Sequence, residues 1–272
     1  MERYEGNHNY DVEHKLIHGD EHGASIHSRW RWQGRASLDW GRRSSCQPMN
    51  GRQHSGRGVR LLLLGATGHV GRHVLQQAFS DPRIGSIVAP VRRAIPPHPK
   101  LIAPIITNFG ALDETASWWE ADAVICALGT TIRTAGSTAE FRKVDHHYPL
   151  SIARLARAHG AQTFVLTSAV GANRRSRFFY NRVKAELEDD LSTLGFDSLT
   201  YVRPGVIGGD REAFRLTELA MVKVLRLMGP LLPKRLRLNP PVAIAEQLIN
   251  AAVSPVSGTH VVTADRITHS GR

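Results

Sequence analysis

The glycine-rich stretch GATGHVGR, residues 65–72, constrains the fold of this chain more than any other feature. It follows the apolar run VRLLLL and precedes HVLQQAFS, so it lies where a buried strand turns into an amphipathic helix. Gly65, Gly68 and Gly71 have the spacing of a dinucleotide-binding loop, in which glycine permits a tight turn, close approach to a pyrophosphate and close helix packing. The helix N-terminus would then face the phosphates. The loop lacks the lysine and Ser/Thr of a P-loop, which disfavours ATP hydrolysis.

From residue 59 onward, apolar runs of strand length alternate with helical segments. Nearly continuous apolar strands separated by helices predict a parallel sheet covered on both faces. We therefore expect one α/β domain at 59–272, a doubly wound Rossmann sheet of about seven strands in three α/β/α layers, with a small substrate-side portion at its C-terminal end. Later helices are predicted near 211–228 and 241–253. The predicted strands are VRLLLLG, SIVAPV, KLIAPIIT, ADAVICALG, QTFVLTS, DSLTYVRPG and GTHVVTA.

Residues 1–58 differ in composition from this domain. They hold six of the 14 histidines and three of the five tryptophans, and they end in a run rich in Gly, Ser and Arg. Without helical or strand periodicity they cannot bury enough apolar surface to offset the entropy of ordering, so we predict a disordered tail. A start at Met49 is an alternative. The histidine spacing matches no compact ligand set, and no metal site is predicted.

Cysteine use and hydropathy predict a location in the cytoplasm. No run reaches the ~18 apolar residues of a membrane helix, and the first residues contain no apolar signal segment. Cys46 and Cys126 make neither a disulfide framework nor a metal-type spacing, which is typical of a reducing compartment. Cys126 is expected to be a small buried hydrophobe at a strand end.

The net charge of +11 raises the question of an acidic partner. It rests on 29 Arg and only six Lys, and no nucleic-acid recognition motif accompanies it, so binding to nucleic acid is disfavoured. Residues 223–237, KVLRLMGPLLPKRLR, alternate basic and apolar side chains. They predict an amphipathic surface helix, with a weak membrane-surface or acidic-partner contact as the alternative. The sequence leaves the oligomeric state open.

The end of the second predicted strand bears on cofactor choice. An acid there would bind the ribose 2′-hydroxyl of NAD, but the strand ends in VRR. The guanidinium groups of Arg92 and Arg93 could pair with a 2′-phosphate. The sequence therefore favours NADP, with solvated surface arginines as the alternative.

A serine, a tyrosine and a lysine follow the fifth predicted strand. Ser168 closes that strand, Tyr180 comes twelve residues later, and Lys184 lies one helical turn beyond it. A phenol has a reference pKa near 10, and a nearby ammonium ion favours its ionised form. A serine at the carboxyl edge could donate to a substrate oxygen as charge develops there. The three predict a catalytic set with Tyr180 as acid–base; two surface neighbours are the alternative.

With CALGTTIRTAGSTAEFRKVDHHYPL, LTSAVGAN and FDSLTYVRPGVIGGDR, these motifs make the region 59–212 resemble the atypical short-chain dehydrogenases/reductases, in the group that includes the human Tat-interactive protein. The resemblance implies an NADP(H)-dependent oxidoreductase acting on an unidentified small carbonyl or alcohol, with hydride passing between nicotinamide C4 and the carbonyl carbon. It implies cofactor contacts at Gly65, Thr67, Gly68, His69, Val70, Gly71, Arg92, Arg93, Asn108, Leu128, Gly129, Thr130, Tyr180, Lys184, Pro204 and Val206.

Two positions depart from the family pattern. Asn108 stands where an acid often faces adenine, and Asp145 is the nearest candidate for the asparagine of the usual proton relay. An NADPH-binding sensor or scaffold without turnover is the main alternative, since it needs only the glycine loop and the arginines. The intact Ser168, Tyr180 and Lys184 favour an enzyme. A nucleotide-sugar epimerase is disfavoured because only 88 residues follow Lys184.

Overall fold

The structure, a computed structural model, describes residues 57–208 and 238–267. Its main sheet has seven parallel strands in the order β3-β2-β1-β4-β5-β6-β9, which confirms the doubly wound Rossmann fold. A second, two-stranded parallel sheet pairs β7 with β8. The strands are β1 Val59–Leu64, β2 Ile84–Val88, β3 Leu101–Ile102, β4 Ala123–Cys126, β5 Thr163–Thr167, β6 Ser198–Arg203, β7 Val206–Ile207, β8 Leu238–Asn239 and β9 Gly258–Thr263.

The helices fill the connections between these strands. Local sequence sets several of their ends: the Ser137 hydroxyl accepts from the Glu140 amide at 3.1 Å, the N-cap arrangement of a capping box. The helices are α1 Gly71–Ser80, α2 Ile132–Ala135, α3 Thr138–Arg142, α4 Tyr148–Ala158, α5 Phe179–Ser192, α6 Pro241–Val253 and α7 Ala264–Ile267, with a 3₁₀ turn at Ser117–Trp119 and a π-helical segment at Lys143–His147.

The π-helical segment joins α3 to α4, and the proline that follows it, Pro149, explains its wider turn. Pro149 has no N–H to give the carbonyl of Asp145, and its ring crowds that carbonyl. The preceding amide, Tyr148 N–H, donates instead to the carbonyl of Lys143, five residues back. The wider turn brings the adjacent side chains of Asp145 and His146 both into the interior.

The core lies in two layers, one on each face of the sheet. Leu61 and Leu63 of β1 point into the layer formed with α1 and α6, whereas Leu62 and Leu64 point into the layer formed with α4 and α5. All four are therefore buried, which is why β1 reads as a continuous apolar run. Cys126 is buried in the second layer as predicted, and burial raises the pKa of its thiol to about 11.

Some sequence predictions fall where the structure gives no description. The predicted tail, except for its last two residues, and the segments 211–228 and 223–237 lie outside the described residues. The helix predicted near 241–253 is confirmed as α6. Within 57–208 and 238–267, no helix has the length and apolarity that crossing a bilayer would require.

Candidate functional site

The glycine loop packs so closely on neighbouring backbone that side chains on its glycines would collide with it. Gly65 has a φ of +77°, a conformation that favours glycine, and a Cβ there would lie 2.7 Å from the carbonyl oxygen of Ala127. A Cβ on Gly71 would lie only 2.0 Å from the carbonyl oxygen of Gly65, so α1 packs directly on the loop. The Gly68 amide donates to Gly65 at 2.8 Å and closes the turn. A Cβ on Gly68 would lie 3.1 Å from the same Gly65 oxygen, so each of the three glycines has a steric reason to be there.

The small second sheet is fastened beside this loop. His69 Nε2 lies 2.9 Å from the carbonyl oxygen of Gly208, just after β7. The fully buried Asn239 of β8 accepts from the Gly205 amide at 2.7 Å and donates to the Ala264 carbonyl at 2.9 Å. These bonds hold the predicted contact segment 204–206 against the rest of the domain. Asn239 was not found from the sequence, because no local spacing marks a residue whose partners are this distant.

The predicted 2′-phosphate and adenine contacts form an exposed group that we call the arginine end: Arg92, Arg93 and Asn108. The two arginines are exposed in the turn that follows β2 and the isolated bridge at Val91. Within the described part of the chain neither guanidinium has an acidic partner. Asn108 follows β3 and accepts from the Gly110 amide at 2.8 Å, a local turn contact. The two arginine side chains are exposed to solvent, and Asn108 is fixed by a local turn.

A cleft lies beside the arginine end. Its volume is about 640 Å³, and it runs between the segment after β3 and the start of α4. Phe109 and Tyr148 line it with ring centroids 6.0 Å apart, and Lys143 and Arg154 add basic groups. A concave site of this size with aromatic walls and a few polar groups is typical of small-molecule binding.

Two of the three predicted catalytic residues, Ser168 and Lys184, belong to a buried group that we call the lysine end: Lys184, Asp145, Ser168 and Glu188. Lys184 is 3% exposed and Asp145 is 1% exposed, with 2.9 Å between Nζ and Oδ1. The contact is an ion pair, and among the described residues Oδ1 accepts no hydrogen bond. Burial works to lower the pKa of Lys184, but the Asp145 carboxylate outweighs it and the pKa is raised above 10.5.

The same carboxylate fixes the backbone after β4. Asp145 Oδ2 accepts from the Thr130 amide at 2.8 Å. Gly129 lies so close that a Cβ there would be 3.3 Å from Asp145 Oδ1 and 3.8 Å from Lys184 Nζ. Two of the three predicted nicotinamide-side contacts, Gly129 and Thr130, therefore lie directly against the ion pair.

Tyr180 and Lys184 share one side of α5, as the spacing predicted. Lys184 Nζ lies 5.9 Å from the centroid of the Tyr180 ring. The ring is half-buried and packs on Phe141 with 5.7 Å between centroids. Its hydroxyl has no hydrogen-bond partner among residues 57–208 and 238–267.

Ser168 is held in a separate network. Its hydroxyl donates to Glu188 Oε1 at 2.5 Å, and Arg203 Nε donates to the same oxygen at 2.9 Å while its Nη2 pairs with Oε2. The hydroxyl of Tyr201 donates to the backbone carbonyl of Glu188. The described residues thus join Ser168 to Glu188 and not to Tyr180, and its role toward a substrate oxygen stays a prediction.

The structure adds three residues whose contacts in the site were not predicted: Glu188, Arg203 and Asp145. Glu188 was not predicted as a site residue. It lies one helical turn after Lys184, the same spacing that places Tyr180 beside Lys184. Arg203 closes β6, at the carboxyl edge of the sheet. Asp145 was named only as a relay candidate, whereas the structure pairs it with the lysine.

A parallel sheet of this order, with a glycine loop after β1, defines a dinucleotide-binding Rossmann domain. A family profile described as NAD(P)H-binding matches residues 65–219, more than half of the chain. The chain belongs to this NAD(P)H-binding family. The predicted resemblance is confirmed at this level, that of an NAD(P)-binding protein with a Rossmann fold.

Individual relatives agree with the family. "Protein fmp52, mitochondrial" of Aspergillus fumigatus is 35% identical over 180 residues, which cover 63% of this chain and 76% of that protein. Two solved structures share the fold. A short-chain dehydrogenase family protein from Francisella tularensis has a TM-score of 0.56 at 13% identity, covering 78% of this chain and 99% of that chain. MoeE5 in complex with UDP-glucose and NAD has a TM-score of 0.57 at 14% identity, covering 77% and 80%.

The predicted cytoplasmic location is contradicted by these relatives. The Aspergillus fumigatus protein and others of the same name are called mitochondrial. The prediction considered only an apolar secretory signal, whereas mitochondrial presequences are amphipathic, rich in Arg and Ser and poor in acids. Residues 24–58 contain seven Arg, six Ser and a single acid, Asp39.

Proposed function

We propose that this protein is a mitochondrial, NADP(H)-dependent oxidoreductase that interconverts a small carbonyl compound and its alcohol. The observation that carries the proposal is the placement of Tyr180 beside the buried pair of Lys184 and Asp145, next to the backbone of Gly129 and Thr130. A proton-transferring phenol and a fixed ammonium ion thus stand at the carboxyl edge of the sheet, where ligands bind in such folds.

The glycine loop fits a dinucleotide. Because Gly65, Gly68 and Gly71 carry no side chains, the loop backbone can approach a pyrophosphate closely, and α1 has no acidic residue in its first turn to repel phosphates. In the proposed complex the loop amides and the start of α1 hold the pyrophosphate. Arg92 and Arg93 pair with the 2′-phosphate, which supports NADP over NAD.

The cofactor supplies or accepts the hydride. Tyr180 gives a proton to the substrate oxygen during reduction and takes it back during oxidation. Lys184 holds the nicotinamide ribose by hydrogen bonding. Ser168 reaches the substrate oxygen only by turning its hydroxyl away from Glu188.

One variant tests this proposal. Tyr180→Phe removes one oxygen and keeps the packing on Phe141, so we expect NADPH affinity and stability to be retained. Turnover should fall by roughly 10²–10⁴, the typical loss on removing a positioned acid–base group. NADPH oxidation is screened against aldehydes, ketones and quinones, and full activity in Tyr180→Phe would contradict the catalytic role.

A second candidate function is an NADPH-binding sensor without turnover. The buried hydrogen bond from Ser168 to Glu188 favours it, because a sensor has no need of a serine free to meet a substrate. The sensor predicts NADPH binding with no oxidation of the cofactor across the screen. It further predicts that Lys184→Met weakens NADPH binding and that Tyr180→Phe changes nothing.

A further inference from the structure

Within 57–208 and 238–267, one carboxylate, that of Asp145, pairs with the buried ammonium group of Lys184. Removing a lysine from water disfavours its charged form, and fully buried lysines elsewhere titrate several pH units below the usual value. Here Asp145 lies 2.9 Å from Nζ and offsets that cost. Both side chains are almost wholly buried, so water cannot solvate the ammonium group if the carboxylate is removed.

The other charged or titratable groups packed around Lys184 cannot replace Asp145. Cys126 of β4 and Tyr180 of α5 influence Lys184 electrostatically, but the buried thiol stays neutral at physiological pH. The remaining acids nearby each have another partner. Glu186 pairs with Arg142, Glu188 with Arg203, and Asp190 with His146.

Asp145 also fixes where the ammonium group lies. Its second oxygen accepts from the Thr130 amide at 2.8 Å, which ties the carboxylate to the backbone after β4. The π-helical turn directs its side chain inward. One carboxylate oxygen therefore binds the Thr130 amide, and the other pairs with Lys184.

We propose that Asp145 is a positioning residue that keeps Lys184 as an ammonium ion at a fixed place beside Tyr180 and the strand β4 loop. Its importance for the reaction rests on the function proposed above, but its effect on the lysine does not. With Asp145 present, Lys184 stays charged throughout the neutral range. Without it, burial dominates, and the charge is lost as the pH rises through a lowered titration point.

The chain offers a direct measurement because it contains only six lysines. Lysine labelled with ¹³C at Cε gives one NMR signal per residue, and Lys184→Arg identifies the signal of interest. In the wild-type protein the Lys184 signal should not titrate below pH 10.5. In Asp145→Asn its midpoint should fall by about 3–5 pH units, the range seen for buried lysines.

The matched control is Glu140→Gln. Glu140 pairs with the exposed Lys143 at 2.6 Å, and the midpoint of that lysine should hardly move when solvent replaces the partner. An unchanged Lys184 midpoint in Asp145→Asn would overturn the proposal. If Asp145→Asn does not fold, the double variant Asp145→Asn/Lys184→Met removes the unpaired charge and should restore folding. Failure to do so would equally overturn it.

NADPH affinity against pH then separates this proposal from the proposed function. In Asp145→Asn, affinity should weaken as the pH rises through the lowered Lys184 midpoint, whereas the wild-type affinity stays flat there. If the midpoint falls but the affinity does not follow it, Asp145 does hold the lysine charged and the lysine does not contact the cofactor. That outcome would contradict the proposed function alone.

Discussion

The arginine end and the lysine end carry the same kind of charge in opposite settings. Arg92 and Arg93 are exposed in a turn and have no acidic partner in the described structure, whereas Lys184 is enclosed and paired with Asp145. A buried charge is costly unless an opposite charge and hydrogen bonds meet it. A charge in water is already solvated. The lysine end must therefore be complete before any ligand arrives, and the arginine end can leave its pairing to the ligand.

This difference separates stability from ligand selection. Each element at the lysine end contacts a partner from another element: α5 meets the π-helical segment through Lys184 and Asp145, and meets β6 through Glu188 and Arg203. At the arginine end the contact of Asn108 is with an amide two residues away. We expect substitutions at the lysine end to lower the free energy of unfolding. Substitutions at the arginine end should alter only which cofactor binds.

The largest expected effect is on stability at the lysine end. Lys184→Met leaves Asp145 buried without a counter-ion, and breaking a buried pair from one side typically costs about 3–5 kcal/mol. Lys143→Met removes an exposed lysine that also has an acidic partner, Glu140, and should cost no more than about 1 kcal/mol. Urea unfolding at pH 7 compares the two. Equal midpoints would remove the distinction between the two ends.

The next effect is on cofactor selection at the arginine end. Replacing Arg92 and Arg93 by alanine should weaken NADPH at least tenfold, since a hydrogen bond to a charged group contributes about 1.5–3 kcal/mol. NADH lacks the 2′-phosphate and should be affected far less, and the unfolding midpoint should stay unchanged. Replacing the exposed Arg175 and Arg177 by alanine controls for net charge. Equal weakening of both cofactors would refute the assignment of the 2′-phosphate.

The smallest expected effect concerns the acid side of the stability profile. Burial lowers the pKa of His146, even though Asp190 at 2.9 Å works against this. A histidine whose pKa is lowered by folding stabilises the protein above its unfolded value near 6.5, and this contribution is lost as the pH falls. His146→Gln should therefore lose less stability than the wild type between pH 7 and 5 in thermal unfolding. His147→Gln, at the exposed neighbour, should follow the wild-type profile.

Features that depend on near neighbours in the chain could be predicted from the sequence. The four leucines of β1 predicted a strand buried on both faces, and the glycine loop predicted its own tight turn, because steric limits on φ act within a few residues. The i, i+4 spacing placed Tyr180 and Lys184 on one side of α5 because helical geometry is fixed. The parallel direction of the strands in the main sheet followed from the alternation of strand and helix patterns.

The tertiary structure alone decided which charges are paired. Asp145 meets Lys184, and Glu188 meets both Ser168 and Arg203, only because the π-helical segment, α5, the end of β5 and β6 pack where they do. Asn239 reaches the segment at Gly205 by pairing β8 with β7 across 34 residues. No local rule encodes these partners, since they result from burying apolar faces that lie far apart in the chain. The sequence thus determined the frame of the site, and packing determined which of its groups are held and which are free.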